Sequence, residues 1–290
     1  DDDQAELGRA LVAARERGVK LAVGPLPRSA VNAVVESRQS ALPMLILNYP
    51  DFDTALPAST IVFGLSIEGE AQRVARVALA EFVGVRRADV RPRLAIIVGT
   101  TPLERRIAQS YTAALRSAGE VPVLIEFTPE TAARVSTQLA AASFEAVFLA
   151  LNARDASQVR ARIPRTALVF ATSLVNAGDP KLSPTAAALA HDLDGIRFVD
   201  MPWLLQPDHP AVAVYPKPEA SLSPDLSRLY ALGIDAYRIA VVWMKGESRF
   251  DFDGVTGNLR MDRANGPRVE RVPTSAVFRN GLIEREEVAR

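Results

Sequence analysis

Short polar residues sit where the apolar runs of this chain end. Arg28 and Ser29 follow the run 19–23, Asn48 and Tyr49 follow 44–47, and Ser66 follows 61–63. Thr100 and Thr101 follow 94–98, Asn152 follows 146–151, Ser173 follows 167–170, and Trp203 comes after 196–199. If the runs are strands of open α/β sheets, these residues mark the carboxyl ends of the strands, where such folds bind ligands. Hydroxyls, a carboxamide, a phenol and a guanidinium can hold a small polar molecule by hydrogen bonds. Ser29 and Thr101 each begin a helical pattern, whose free N–H groups suit a carboxylate or another anion. The same hydroxyls serve equally well as helix caps, and both readings stand.

Covalent and acid–base chemistry is poorly supplied. The chain has no cysteine, which removes disulfides, thiolate metal sites and thiol nucleophiles together. Its two histidines, His191 and His209, are expected in loops and belong to no His-Glu-x-x-His pair. Gly64-Leu-Ser-Ile-Glu68 lacks the second glycine of a nucleophile elbow. Asp251-Phe-Asp-Gly254 has its glycine at the wrong offset for a calcium loop. These patterns predict no enzyme, no cofactor and no metal. The 34 basic and 34 acidic residues cancel, so no broad field steers the chain to nucleic acid or anionic lipid. No apolar run approaches the ~20 residues of a membrane helix.

Helical and strand patterns alternate over the 290 residues, which predicts βαβ units, parallel sheets and two lobes. Leu7, Ala10, Leu11 and Ala14 share one helical face; Val74, Val77, Ala78 and Phe82 share another. Thr101-Pro-Leu-Glu104 reads as a capping box. Pro122 predicts an edge strand over 121–127. A proline-rich loop is expected over 202–224, then a helix over 225–245. On that helix Leu226, Tyr230 and Ile234 are spaced for packing. Asp235, in apolar company, needs a cap or an arginine as partner. Arg91-Pro92 is the expected boundary. Residues 1–92 and 203–265 make the first lobe, and 93–202 and 266–290 the second.

The order of these elements resembles the type I periplasmic-binding-protein fold. Val23-Gly-Pro-Leu26, Leu45-Ile-Leu-Asn-Tyr-Pro50, Phe63-Gly-Leu-Ser-Ile-Glu-Gly-Glu-Ala71, Arg228-Leu-Tyr-Ala-Leu-Gly-Ile-Asp-Ala-Tyr237 and Gly254-Val-Thr-Gly-Asn-Leu259 are similar to the LppC-type outer-membrane lipoproteins. The resemblance implies two α/β lobes of mostly parallel sheet, three crossovers, a hinged cleft, and a strand, helix and strand ahead of the segment at Asp1, so that the first sheet is short of strands. It implies a non-catalytic periplasmic domain, tied to the outer membrane by a lipidated N-terminus, that binds and activates a class A penicillin-binding protein, a peptidoglycan synthase. The cleft could also take a small molecule or wall fragment. The alternative is a solute receptor for an amino-acid ABC importer. Amino-acid-binding relatives carry aromatic side chains and an acid where this chain has Leu103, Arg154 and Leu174, which speaks against that alternative.

Overall fold

The computed structural model describes residues 2–37, 40–51, 56–83, 93–218 and 222–286, with backbone only for 2–5, 82 and 83. In chain order the elements are α1 (Asp2–Glu16), β1 (Ala22–Val23), α2 (Arg28–Ser37), β2 (Met44–Ile46), β3 (Thr60–Val62), α3 (Ile67–Val83), β4 (Leu94–Val98), α4 (Pro102–Ser117), β5 (Val123–Glu126), α5 (Ala132–Ala142), β6 (Ala146–Ala150), α6 (Ala153–Arg160), β7 (Leu168–Ala171), α7 (Pro184–Asp192), β8 (Ile196–Asp200), α8 (Pro202–Leu205), α9 (Pro210–Ala213), α10 (Pro224–Met244), β9 (Arg249–Asp253), β10 (Asn258–Asp262), β11 (Glu270–Val272), β12 (Thr274–Arg279) and β13 (Leu282–Arg285). The expected boundary at Arg91-Pro92, and the side chain of Phe82, lie outside the described residues. By contacts the first unit comprises 1–66, 208–220 and 225–272, and the second 67–207, 221–224 and 273–290. The division therefore falls at 66/67. α3 belongs with the second unit because its face packs on α4 and on that unit's sheet.

The second unit is built on a seven-stranded sheet in the order β13-β12-β8-β7-β6-β4-β5. β4 to β8 are parallel, and β12 and β13 are antiparallel. Period-2 side chains explain why these strands read as continuous apolar runs. Leu94, Ile96, Val98 and Phe148 face Ala75, Ala78, Ile107, Tyr111 and Leu115 of α3 and α4. Ala95, Ile97, Val147 and Leu149 face Val135, Leu139, Ala156, Val159 and Ala190 of α5, α6 and α7. Tyr111 stacks on Phe148 at 3.7 Å between centroids. Burying a side chain of that size contributes about 2–3 kcal/mol. β5 is an edge strand, as Pro122 predicts.

Arg197 of β8 ties three elements of this unit. Its Nε donates to both carboxylate oxygens of Glu286, at 2.9 and 2.8 Å, and its Nη2 donates to Glu81 of α3 at 3.1 Å. Its guanidinium lies 5.5 Å from the Phe170 ring centroid. Because the group is only partly buried, Arg197→Ala is expected to cost about 1–2 kcal/mol. Chemical denaturation should detect that loss, and Glu286→Ala in the same background should add little to it.

The first unit has two small sheets. β1, β2 and β3 are parallel in that order, with β1 at one edge. The backbone at Val62 pairs on its other side with 267–269. One face of the sheet packs Met44, Ile46 and Val62 on Val31, Val34 and Val35 of α2. The other packs Leu45, Ile61 and Phe63 on Leu232, Ala236 and Ile239 of α10 and on Phe250, Leu259 and Met261 of the β9–β10 hairpin. The hairpin's opposite face is a ladder of charges. Arg249 faces Asp262, and Arg260 stands between Asp251 and Glu270.

Several expectations change. His191 lies in the last turn of α7, and His209 caps α9 by accepting from Ala211 N. The proline-rich stretch contains α8 and α9. Tyr230 is exposed on α10, because the buried face of that helix is the one carrying Ala231, Leu232, Asp235, Ala236 and Ile239.

Candidate functional site

In the first unit the carboxyl ends of β1, β2 and β3 carry Arg28, Ser29, Asn48, Tyr49 and Ser66. α2 starts at Arg28, with Pro27 O accepting from Val31 N. Ser29 is therefore an exposed first-turn residue and not the cap. Arg28 Nη1 donates to Asp51 Oδ1 at 2.8 Å, and Asn32 Nδ2 donates to Asp51 Oδ2 at 2.8 Å. Asn48 Nδ2 donates to Leu26 O at 3.0 Å, while its Oδ1 accepts from Tyr49 N at 2.9 Å. Asn48 thus ties the β1 loop to the β2 loop. Tyr49 lies against Gly64, where an added Cβ would stand 3.2 Å from the ring. Burial pushes the Tyr49 phenol above its ordinary pKa, and the nearby Arg271 and Arg268 pull the other way. Ser66 closes this unit's first segment.

In the second unit the same geometry holds Thr100, Thr101, Asn152 and Ser173. Thr101 caps α4. Its Oγ1 accepts from Glu104 N at 3.2 Å and donates to Glu104 Oε2 at 2.7 Å, and Thr101 N donates to Oε2 at 3.0 Å. The carboxylate reaches further than a capping box requires. Its Oε1 accepts from Asn152 N, at 3.2 Å, in the next loop. Asn152 also caps α6 through Asp155 N. Glu104 is 3% exposed. Gly99 leaves the room for it, since a Cβ there would fall 2.3 Å from Oε2. At the end of β7, Ser173 N donates to Glu70 Oε2 at 3.1 Å. At the end of β8, Asp200 accepts from Asn176 Nδ2 and from Met201 N, each at 2.8 Å. Thr172 is buried, and its Oγ1 has no hydrogen-bond partner. Thr100 is exposed, and Trp203 is buried within α8.

Arg28, Asn48 and Tyr49 are thus neighbours in one unit, and Thr101 and Asn152 in the other. Both sets are bound up with the chain's own groups. Sequence reasoning missed Glu70, Glu104 as a bridge, Asp51 and Asp200. Only Glu104 had a local signal, the Thr-Pro-x-Glu spacing. The others act across 19 to 103 residues.

Among the described residues Asp235 is the most enclosed acid of the first unit. Its side chain is fully buried on α10 and accepts from Val255 N at 3.1 Å, Thr256 N at 2.8 Å and Thr256 Oγ1 at 2.7 Å. Arg238 Nη1 lies at 3.2 Å. Desolvation raises its pKa, against the pull of these donors and of Arg238. The acid clamps the loop between β9 and β10, so its role is structural. Among the described residues no group of three or more acids or histidines is arranged to hold a metal ion, and no helix is long and apolar enough to cross a membrane.

Comparison with known proteins places this geometry in a family. The family model "LppC putative lipoprotein" matches residues 2–142 and 129–281. The penicillin-binding protein activator LpoA of Haemophilus ducreyi is 22% identical over 298 residues. That match covers 98% of this chain and 48% of that protein, so the chain spans about half the length of its curated relative. The C-domain of LpoA from Haemophilus influenzae, "a regulator of PBP1A", superposes with a TM-score of 0.75 at 20% identity, covering 97% of this chain and 86% of that one. A structure described as "a putative branched-chain amino acid ABC transporter from Chromobacterium violaceum ATCC 12472" is 32% identical, with a TM-score of 0.74, over 93% of this chain and 84% of its own. The two α/β units thus have the type I periplasmic-binding-protein-like fold of the LpoA C-domain. With family matches that run through both units, from residue 2 to residue 281, this chain belongs to the LppC lipoprotein family.

Proposed function

We propose that this chain is the regulatory domain of an envelope lipoprotein that binds a class A penicillin-binding protein and stimulates peptidoglycan synthesis. The family supports an envelope-anchored, non-catalytic protein. Attachment to the outer membrane by a lipid is part of the same proposal. One structural observation favours an activator over a receptor: the strand-end donors Arg28, Asn48, Thr101, Asn152 and Ser173 N, though not Thr172 Oγ1, already serve the chain's own carboxylates and carbonyls. A receptor keeps such donors open for its ligand, whereas an activator needs only a surface with higher affinity for the active state of its partner. The test is a pulldown of the full-length protein against solubilised synthases, with glycan-strand synthesis and transpeptidation read with and without it. Binding with stimulation supports the reading. Failure of both sinks it.

The second reading, a solute receptor, is favoured by the 32% identity to the structure described as a transporter. It predicts that amino acids or wall peptides raise the melting temperature. The activator reading requires no shift with either class, and predicts none with amino acids.

A further inference from the structure

We propose that the free edge of β5 is a self-association surface, on which β5 of a second copy pairs antiparallel about a two-fold axis at Leu124. β5 ends the seven-stranded sheet, and among the described residues no strand pairs with it on its outer side. Phe127 N donates to Val98 O of β4 at 2.8 Å. Alternate residues of a strand bond to the same neighbour, so Val123 and Ile125 also turn their main chain to β4. Pro122, Leu124 and Glu126 turn theirs outward. The side chains along this edge are largely apolar, with Val121, Val123 and Leu124 75%, 49% and 61% exposed. The opposite edge, β13, carries exposed Glu284 and Arg285 beside Leu282. Charges of that kind keep an edge single, whereas an exposed apolar edge is a template for another strand.

The strand selects its own copy because one register satisfies it in hydrogen bonds, packing and charge together. With Leu124 opposite Leu124 of the copy, the two residues exchange both main-chain bonds. Glu126 N then donates to Pro122 O of the copy, twice over. Every outward N–H has an acceptor, and the N–H that Pro122 lacks leaves only Glu126 O to water. On the face that packs on α5, Val123 meets Ile125 of the copy and Val121 meets Phe127. On the α4 face leucine meets leucine, and Glu126 comes beside Pro122 of the copy. Arg105, Gln109, Thr112 and Arg116 share one side of α4 at ~100° per residue. Arg105 lies 4.0 Å from Glu126, which sets that side above the edge. Arg116 stands about 16 Å further along, over the start of β5. It is exposed and makes no ion pair among the described residues. Glu126 thus comes between Arg105 of its own copy and Arg116 of the other. The register two bonds along, Leu124 opposite Glu126, sets a leucine against a carboxylate and loses that pairing. A strand contact of this size lies near the ~1,000 Å² lower limit for specific interfaces, so the expected dimer is weak, with a Kd above about 1 µM.

Sedimentation equilibrium of the whole chain, over a concentration range reaching several hundred times that limit, should show a monomer–dimer equilibrium. Leu124→Pro removes an outward N–H and no bond to β4, so it should leave only monomer while the chain still melts cooperatively. The absence of native cysteine gives a second, independent test. Residues opposite one another in a hydrogen-bonded antiparallel pair have Cα atoms about 5.5 Å apart, within reach of a disulfide. Leu124→Cys, oxidised at high protein concentration, should therefore give at least about tenfold more disulfide dimer than Leu282→Cys on β13. The proposal is overturned if the chain stays monomeric and Leu124→Cys cross-links no better than Leu282→Cys, or if a dimer survives Leu124→Pro. It is equally overturned if a monomeric chain loses synthase binding on Leu124→Pro, which would give this edge to a strand of another protein. If Leu124→Pro does not fold, the cross-linking comparison decides. The synthase stimulation assay with wild-type chain tests the activator reading separately.

Discussion

Replacing Asp235 by alanine is expected to lower the stability of the first unit by about 3–5 kcal/mol, because removing one partner strands the rest of a buried polar set. Three donors, Val255 N, Thr256 N and Thr256 Oγ1, lose their acceptor, and Arg238 loses its counter-charge. The loss is a large share of the ~5–15 kcal/mol that holds a typical domain. Equilibrium denaturation followed by tryptophan emission should show it, since Trp243 lies in the last turns of α10 and packs against this core. Thr256→Ala should cost only about 1–2 kcal/mol, as Asp235 keeps its two backbone donors. Asp235→Asn should fall between the two, because its carboxamide N–H₂ must face one of the loop's N–H groups. Gly254→Ala should resemble the alanine variant, since a Cβ there would stand 2.5 Å from Asp235 Oδ2 and 2.8 Å from Gly257 O. Acidity provides a check on sign. Desolvation holds the folded pKa above the ordinary carboxylate value. The stability linked to this proton is thus full below that ordinary value and is lost as pH rises through the folded value. Stability measured across that window should fall with rising pH in the wild type, relative to Asp235→Asn. A wild type that gains on the asparagine variant instead would show that the donors and Arg238 outweigh burial.

Much of this fold is legible in the sequence where the signal is local. β4 and β6 read directly from 94–98 and 146–151, one residue beyond the end of β6, because strands covered on both faces are apolar at every position. The α4 cap reads from Thr101, Pro102 and Glu104, because a capping box closes within four residues. The Asp235 clamp was half legible. An acid in an apolar helix needs a partner, but nothing near it in sequence says that the partner is the Val255–Thr256 backbone. Ser29 misled, since Pro27 and Arg28 open α2 earlier than a hydroxyl cap would. β12 and β13 were missed. Their position is fixed by pairing of Ala276 with Phe198, far away in the chain. Asn280-Gly281 was nevertheless a readable sign of a two-residue hairpin, and both residues have positive φ, 51° and 76°. The candidate rim residues were found as positions but not as a chemistry. A hydroxyl at a strand end looks the same in sequence whether a ligand or Glu104 satisfies it.

That ambiguity makes Glu104 the other large test. Glu104→Ala is expected to cost about 3 kcal/mol in the second unit, because Thr101 N and Asn152 N lose a charged acceptor in a nearly solvent-free place. Gly99→Ala should cost nearly as much by the opposite route. Its Cβ would meet the carboxyl oxygens and carbon of Glu104 at 2.3, 2.8 and 2.5 Å, so the carboxylate must swing aside and give up its bonds from Thr101 N and Asn152 N. The two changes should not add. With the carboxylate gone the methyl group has space, so the double variant should be no less stable than Glu104→Ala alone, a coupling of about 2 kcal/mol. Additive losses would mean that Gly99 is required for its backbone alone and that the fit to Glu104 is incidental. The cycle also bears on function. If Glu104→Ala folds and still stimulates a synthase, the strand-end chemistry of the second unit is internal architecture, and stimulation must be exerted through a surface elsewhere on the molecule.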